Sequence, residues 1–333
     1  MSLSKAYILT EGSKHIGFGH ITRCTSLCQA LVQKGVEVRF LVNGDETVAN
    51  VSQDTGIEQV NWLEQNRSFA DAELVIVDSY LAQLNFYQQI VKQVKLAVFI
   101  DDNKRLKYPG GIVVNGSAGA DKLGYPENNG VSYLLGPGYI PLRQDFWQAN
   151  PKEQSEKLSS VMITFGGDDL RGLTGQVLEQ LAKNYPELTK NIVIGQAFSK
   201  DNIAKIKAVA DEKTELSFAP GAAEIKDIMC QSDIAVSASG QTLYELARIG
   251  VPTIAIGVVD NQLTNISGWR SAGFIEYAGW WSDQRLIDSV LVKVKLLQDQ
   301  AKRVARAEIG RSMVDGQGAL RVVEKLNEYS LSN

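Results

Sequence analysis

Ala6-Tyr7-Ile8-Leu9-Thr10, then a helical stretch from about His20 to Lys34, then Val36 to Val42: the chain opens with a short apolar run, a crossover and a second short apolar run. Two strands separated by a helix return to one sheet in parallel. The rhythm continues through Leu74-Val75-Ile76-Val77-Asp78, a helix around Ala82 to Val94, Leu96 to Ile100, Ile112 to Val114 and Tyr133 to Leu135. The first half therefore reads as a doubly wound α/β domain. From Pro137 to about Leu158 the rhythm stops and the text turns to Pro, Gln and charge, the composition of a linker. It restarts at Val161-Met162-Ile163-Thr164-Phe165, with a helix to about Asn184, and runs on through Ile192 to Ile194, Leu216 to Phe218, Ile234 to Val236 and Thr253 to Ile256. Two closing helices are expected, about Asp283 to Glu308 and Gln317 to Tyr329.

The totals agree with two domains. A chain of 333 residues exceeds one ordinary core of roughly 150 residues. A hydrophobic share of 44% and a charged share of 22% are those of a packed globular protein. With no long apolar run and no charged-then-apolar leader pattern, a cytoplasmic protein without membrane insertion is expected. The net charge of −4 includes no basic block, which argues against nucleic acid as partner. Three cysteines and two histidines, His15 and His20, form no metal-ligand pattern and no disulfide framework, so no metal and no cofactor are expected.

Ligands of open α/β sheets bind beyond the carboxyl ends of the strands, so the loops after the apolar runs carry the candidates. The first is Gly17-Phe18-Gly19-His20-Ile21-Thr22-Arg23-Cys24. Gly17 and Gly19 let backbone approach a ligand, and the helix start offers N–H groups to an anion. The spacing lacks both the third glycine of a dinucleotide fingerprint and the Lys-Ser/Thr of a P-loop. His20 suits proton transfer at neutral pH, or it packs against the helix start. Arg23 either meets a phosphate or braces the helix against an acidic neighbour.

The second loop is Phe165-Gly166-Gly167-Asp168-Asp169, whose acidic pair either orients hydroxyls or caps the next helix. The third is Ser237-Ala238-Ser239-Gly240-Gln241-Thr242-Leu243-Tyr244-Glu245. Ser239, Gly240, Gln241 and Thr242 open a helix in a way that suits a diphosphate or simply caps the helix, and Glu245, a turn further in, is either a ribose acceptor or a surface residue. The fourth is Asp260-Asn261-Gln262, where Asn261 and Gln262 offer amides to a sugar or phosphate. Asp78-Ser79-Tyr80 and Asp101-Asp102 end strands of the first half, and Trp280-Trp281 is either a stacking platform, core packing or an oligomer contact.

These motifs, in this order, resemble the nucleotide-sugar hydrolase family of pseudaminic acid biosynthesis, PseG, related in fold to GT-B glycosyltransferases such as MurG. The elements that carry the resemblance are Ile16 to Cys24, Val77 to Tyr80, Ile100 to Asp102, Leu134-Leu135-Gly136-Pro137, Phe165 to Asp168, Ser237 to Thr242, Asn261-Gln262 and Asp315-Gly316-Gln317-Gly318-Ala319. The Gly-x-Gly-His-x-x-Arg-Cys element is the most specific. Two departures stand out: Asp168, with Gly172 ahead of Leu173-Thr174, where the family commonly has serine and asparagine, and Gln241 where a small hydroxyl residue is frequent.

The resemblance implies two Rossmann-like α/β domains in a GT-B arrangement with an interdomain cleft. The expected division is an N-terminal domain over 1–145, a linker over 146–157, a nucleotide-binding domain over 158–314 and a terminal helix over 315–333 packing on the first domain. It further implies metal-independent hydrolysis of UDP-2,4-diacetamido-2,4,6-trideoxy-β-L-altropyranose or a related UDP-linked amino-deoxy sugar. His20 is then the catalytic residue. Gly17, Gly19, Arg23, Asp78, Tyr80, Asn261 and Gln262 contact the sugar side, and Gly166, Gly167, Ser239, Gly240, Gln241, Thr242 and Glu245 the nucleotide. A GT-B glycosyltransferase and a non-catalytic nucleotide-sugar binding protein are the alternatives that share these features.

Overall fold

A computed structural model describes residues 3–13, 16–48, 56–64, 67–127 and 130–332; His15 lies outside them. The chain divides into two compact units, residues 1–144 with 316–333, and residues 145–315.

The first unit holds seven strands: β1 (Lys5–Gly12), β2 (Glu37–Gly44), β3 (Ile57–Gln59), β4 (Leu74–Asp78), β5 (Leu96–Ile100), β6 (Gly111–Asn115) and β7 (Val131–Leu135). Their order is β3-β2-β1-β4-β5-β6-β7, and every pairing is parallel. Every residue of β4 and β5 is buried, because helices cover both faces; this is why these strands read as unbroken apolar runs. Helices α1 (Gly19–Gln33) and α2 (Leu84–Gln93) make two of the crossovers. Successive strands leave β1 and β4 in opposite directions across the sheet, so the gap between them is the topological switch point.

The last helix of the chain, Gly318–Ser332, belongs to this unit and packs on α1. Two distant sequence motifs meet where it begins. A Cβ on Gly318 would stand 2.0 Å from the Ile140 carbonyl oxygen, and Arg321 donates to the Gly138 carbonyl. Only a glycine allows that approach.

The second unit has six parallel strands: β8 (Ser160–Thr164), β9 (Thr189–Ile194), β10 (Thr214–Phe218), β11 (Ile234–Ala238), β12 (Thr253–Gly257) and β13 (Ile275–Trp280). They lie in the order β10-β9-β8-β11-β12-β13, with the switch point between β8 and β11. After α1 and α2 come α3 (Leu173–Asn184), α4 (Lys200–Val209), α5 (Ala222–Gln231), α6 (Thr242–Ile249), α7 (Leu263–Ala272), α8 (Leu286–Leu296) and α9 (Gln300–Met313); the terminal helix is α10.

Two expectations change. The helix read over 283–308 is broken, because the Asp299 carboxylate accepts from the N–H groups of Ala301 and Lys302 and so starts α9 afresh. The stretch read as a linker over 146–157 is strapped into the second unit. Phe146 is fully buried, Arg248 donates to the carbonyls of Phe146 and Ala149, and the buried Arg303 donates to that of Ser155. Its Pro- and Gln-rich composition reflects irregular backbone, whose carbonyls are satisfied by arginines rather than by a ladder.

Candidate active site

At the first switch point, β1 runs into the glycine loop and α1. Gly17 has φ +83°, in the left-handed region, and open space surrounds the positions a Cβ would take on both Gly17 and Gly19. The loop thus leaves its backbone accessible just ahead of His20. His20 is buried, and its Nδ1 lies 2.8 Å from Oδ1 of Asp78, the last residue of β4. A ring nitrogen that faces a carboxylate carries the proton, so Nε2 is left as the acceptor.

Arg23 stands one turn along the same helix face. Its Nε and Nη2 donate to the two oxygens of Asp78 at 2.5 and 2.6 Å, and its Nη1 donates to both oxygens of Asp102 at 2.7 and 2.8 Å. Tyr80 OH donates to Asp102 Oδ2 at 2.7 Å, and the Tyr80 ring meets His20 edge-on with centroids 4.5 Å apart. Burial alone would push the Asp78 carboxyl up, but the Arg23 guanidinium, joined by His20, holds it well below the usual carboxylate range. Burial likewise works against the Arg23 charge, and Asp102 and Asp78 outweigh it, keeping the guanidinium above its ordinary value. The Tyr80 phenol is pushed well up by burial and by the charge of Asp102, so it stays protonated as a donor.

The cluster alters two expected roles. Arg23 and Asp78 were expected on the substrate side; instead both are buried and bound to one another, since an unpaired charge at that depth would cost several kcal/mol. They hold His20. Of the two roles the sequence allowed Arg23, the geometry is that of the brace. Two residues outside the expected site roles belong to the cluster: Asp102, two residues beyond the end of β5 and noted in the sequence only as a strand-end acid, and Glu11, a fully buried carboxylate next to the last residue of β1. A charge directly after the run Ala6 to Thr10 was the signal available for Glu11.

In the second unit Gly166, with φ +79°, and Gly167 follow β8. Asp169 also lies at positive φ, 43°, and its carboxylate accepts from Leu173 N at 2.9 Å and Thr174 N at 2.8 Å. The start of α3 is therefore capped from within. Behind this loop, a Cβ on Gly195 would stand 2.4 Å from the Gly167 carbonyl oxygen and 2.5 Å from that of Gly166, and Ala197 N–H donates to Gly167 O. Backbone cannot yield as a flexible side chain does, so Gly195→Ala is expected to displace the 166–167 loop and to destabilise the protein by about 1–3 kcal/mol. Chemical denaturation measures the loss, and unchanged stability would contradict this packing.

Next to it, Ser239 is buried and its Oγ donates to Ile256 O at 3.0 Å, while its carbonyl accepts from Asn265 Nδ2 at 2.9 Å. Tyr244 OH donates in turn to Asn265 Oδ1. The Ser239 hydroxyl thus pins the turn, where the sequence suggested a donor to phosphate. What faces outward is the start of α6, for which Gln241 at the N-cap supplies no side-chain cap. The positive end of the helix dipole there suits an anion, while the N–H groups of Leu243 and Tyr244 already donate to the carbonyls of Gly240 and Gln241. Gly240, Gln241 and Thr242 are half-buried there. Gln262 Oε1 accepts from Val258 N at 3.0 Å, which sets its Nε2 3.7 Å from the position of a Cβ on Gly240; Asn261 is exposed in the same loop. Glu245 is buried rather than on the surface. Trp281 packs on the core with the Arg171 guanidinium 3.9 Å from its ring centroid, and the Trp280 ring lies against Gly257.

The structure thus gathers His20, Arg23, Asp78 and Tyr80 with the Gly17–Gly19 loop in one unit. In the other it gathers Ser239 to Thr242 with Gln262, beside the Gly166–Gly167 turn. Among the described residues no group of His, Cys, Asp and Glu is arranged to hold a metal ion, and no helix is long and apolar enough to cross a membrane.

Two Rossmann-like units of parallel sheet are the fold of GT-B glycosyltransferases and related enzymes. Acinetobacter baumannii MurG superposes with a TM-score of 0.69 at 14% identity, covering 98% of this chain and 99% of MurG. The Staphylococcus aureus MnaA–UDP co-structure gives 0.67 at 12% identity, covering 98% and 97%. No family model matches the chain. Among curated proteins it is similar to the UDP-2,4-diacetamido-2,4,6-trideoxy-β-L-altropyranose hydrolase of Campylobacter jejuni, 23% identical over 82% of this chain and 99% of that one. It is also similar to the spore coat polysaccharide biosynthesis protein SpsG of Bacillus subtilis, 22% identical over 96% and 97%. An uncharacterized protein of Methanocaldococcus jannaschii is 25% identical over 76% of this chain, which spans only 55% of that relative.

Proposed function

We propose that this chain hydrolyses a UDP-linked amino-deoxy sugar to UDP and the free sugar, as in pseudaminic acid biosynthesis. The observation that carries the reading is the His20–Asp78 hydrogen bond, with Arg23 behind it, at the switch point of the first sheet. Asp78 accepts a hydrogen bond from Nδ1–H, which stays on the ring, so Nε2 accepts a proton from water as the water oxygen bonds to the anomeric carbon. The bond from that carbon to the diphosphate oxygen breaks, and UDP leaves with the electron pair. The positive end of the α6 dipole stabilises the charge that develops on the diphosphate, which is the larger contribution to rate. General base help adds about 10²- to 10⁴-fold. Gly166 and Gly167 bring backbone to the nucleotide, Glu245 takes the ribose, and Asn261 and Gln262 take the sugar or phosphate.

The name of the C. jejuni relative, matched over nearly its whole length, supports hydrolysis. Incubation with a panel of UDP-linked amino-deoxy sugars in ¹⁸O-labelled water tests the reaction. The expected products are UDP without label and a free sugar labelled at its anomeric oxygen, formed with no acceptor present. UDP release that requires an added alcohol would make the protein a transferase, and tight binding without turnover would make it a binding protein.

A further inference from the structure

We infer that Glu11 is a positioning residue for the His20 site, acting through the Asp78-Ser79-Tyr80 turn; the inference rests on the proposed role of His20. β1 and β4 run in register to Thr10 opposite Asp78, where the ladder ends. Beyond that point the end of β1 grips the turn with side chains. Thr10 Oγ1 donates to the Asp78 carbonyl at 3.0 Å, Ser79 Oγ donates to Glu11 Oε2 at 2.5 Å, and Tyr80 N–H donates to Glu11 Oε1 at 2.5 Å. One fully buried carboxylate thus fixes, through both of its oxygens, the middle and last residues of a three-residue turn.

The two ends of that turn carry the groups around the imidazole. Asp78 holds Nδ1 and the Arg23 fork, and Tyr80 packs its ring edge-on to His20 while its hydroxyl meets Asp102. Ser79 is tied further, its Oγ accepting from Leu81 N and Ala82 N, and Arg105 donates to the Ser79 carbonyl. A carboxylate has two acceptor oxygens and no donor, which matches a hydroxyl and an N–H side by side. Glutamine at the same position keeps the size but turns an NH₂ toward one of the two donors, Ser79 Oγ or Tyr80 N–H, and so loosens the turn.

With two histidines in the chain, a spectrum of ¹⁵N-histidine-labelled protein contains two imidazoles, and the signal lost in His20→Asn assigns His20. The wild type is expected to show His20 as the Nδ1–H tautomer. In Glu11→Gln the tautomers mix, and kcat for UDP release falls on the order of 10²-fold with KM unchanged, the cost of misplacing a catalytic group by about 1 Å. Ser79→Ala, which removes one of the two bonds to Glu11, is expected to shift the tautomer in the same direction by less, and it carries the test if Glu11→Gln does not fold. A folded Glu11→Gln, or in its place Ser79→Ala, with the wild-type His20 spectrum would overturn the inference. The spectrum needs no substrate, so a wrong reading of the reaction shows itself separately, as absent UDP release alongside the tautomer change.

Discussion

His20→Asn lowers the rate of acceptor-independent UDP release by about 10²- to 10⁴-fold, with KM nearly unchanged. The size follows from what Nε2 does in the proposed reaction: it takes a proton in the transition state and meets the bound substrate before that only through water. Losing an interaction made in the transition state lowers kcat and kcat/KM together. Asparagine retains an N–H for Asp78, and the Asp78–Arg23 pair remains complete, so the fold should tolerate the change. Steady-state kinetics with circular dichroism as the control for folding measures it. Turnover within a few fold of wild type would remove His20 from the chemistry and return the site to the binding-protein reading.

Asp78→Asn is expected to damage both stability and turnover. It deletes the charge that faces the buried Arg23, leaving Asp102 as the carboxylate on that guanidinium; breaking such a pair costs about 3–5 kcal/mol. It also frees His20 to adopt the tautomer with the proton on Nε2, which cannot accept from water; the corresponding change in the serine-protease triad lowers kcat by about 10⁴-fold. The pH dependence separates the two effects. The Asp78 carboxyl lies well below its usual range in the folded protein and near about 3.9 in the unfolded chain. A depressed folded value contributes stability that is complete above about pH 5 and is lost as pH falls below about 4 toward the folded value. Denaturant midpoints of wild type and Asp78→Asn should therefore converge between pH 6 and pH 2. Curves that stay parallel over that interval would show that Asp78 is not the carboxylate holding this charge.

Much of this is visible in the linear chain because strand burial and helix crossovers are local patterns. β4 and β5 announce themselves as continuous apolar runs because both of their faces are covered, and the Gly17–Gly19 loop stands out because glycines at a strand end leave backbone open. The same locality explains what was misread. Nothing within 283–308 signals that the Asp299 carboxylate will turn back to cap a new helix, and nothing within 146–157 shows that Arg248 and Arg303 will take up its carbonyls.

For the motif around His20, the sequence by itself determined that a histidine and an arginine share one helix face after a glycine loop, since their spacing of three is a property of the helix. It also determined that acids close the neighbouring strands. Which acid meets which base was decided by the tertiary structure. Asp78 is 55 residues from Arg23 and Asp102 is 79, and only the placement of β4 beside β1, with β5 next to β4, brings them to one point. The same holds for Ser239, whose hydroxyl turned to Ile256 instead of outward. A side chain's residue type sets what it can bond, but its partner is set by which strand ends lie together in the sheet.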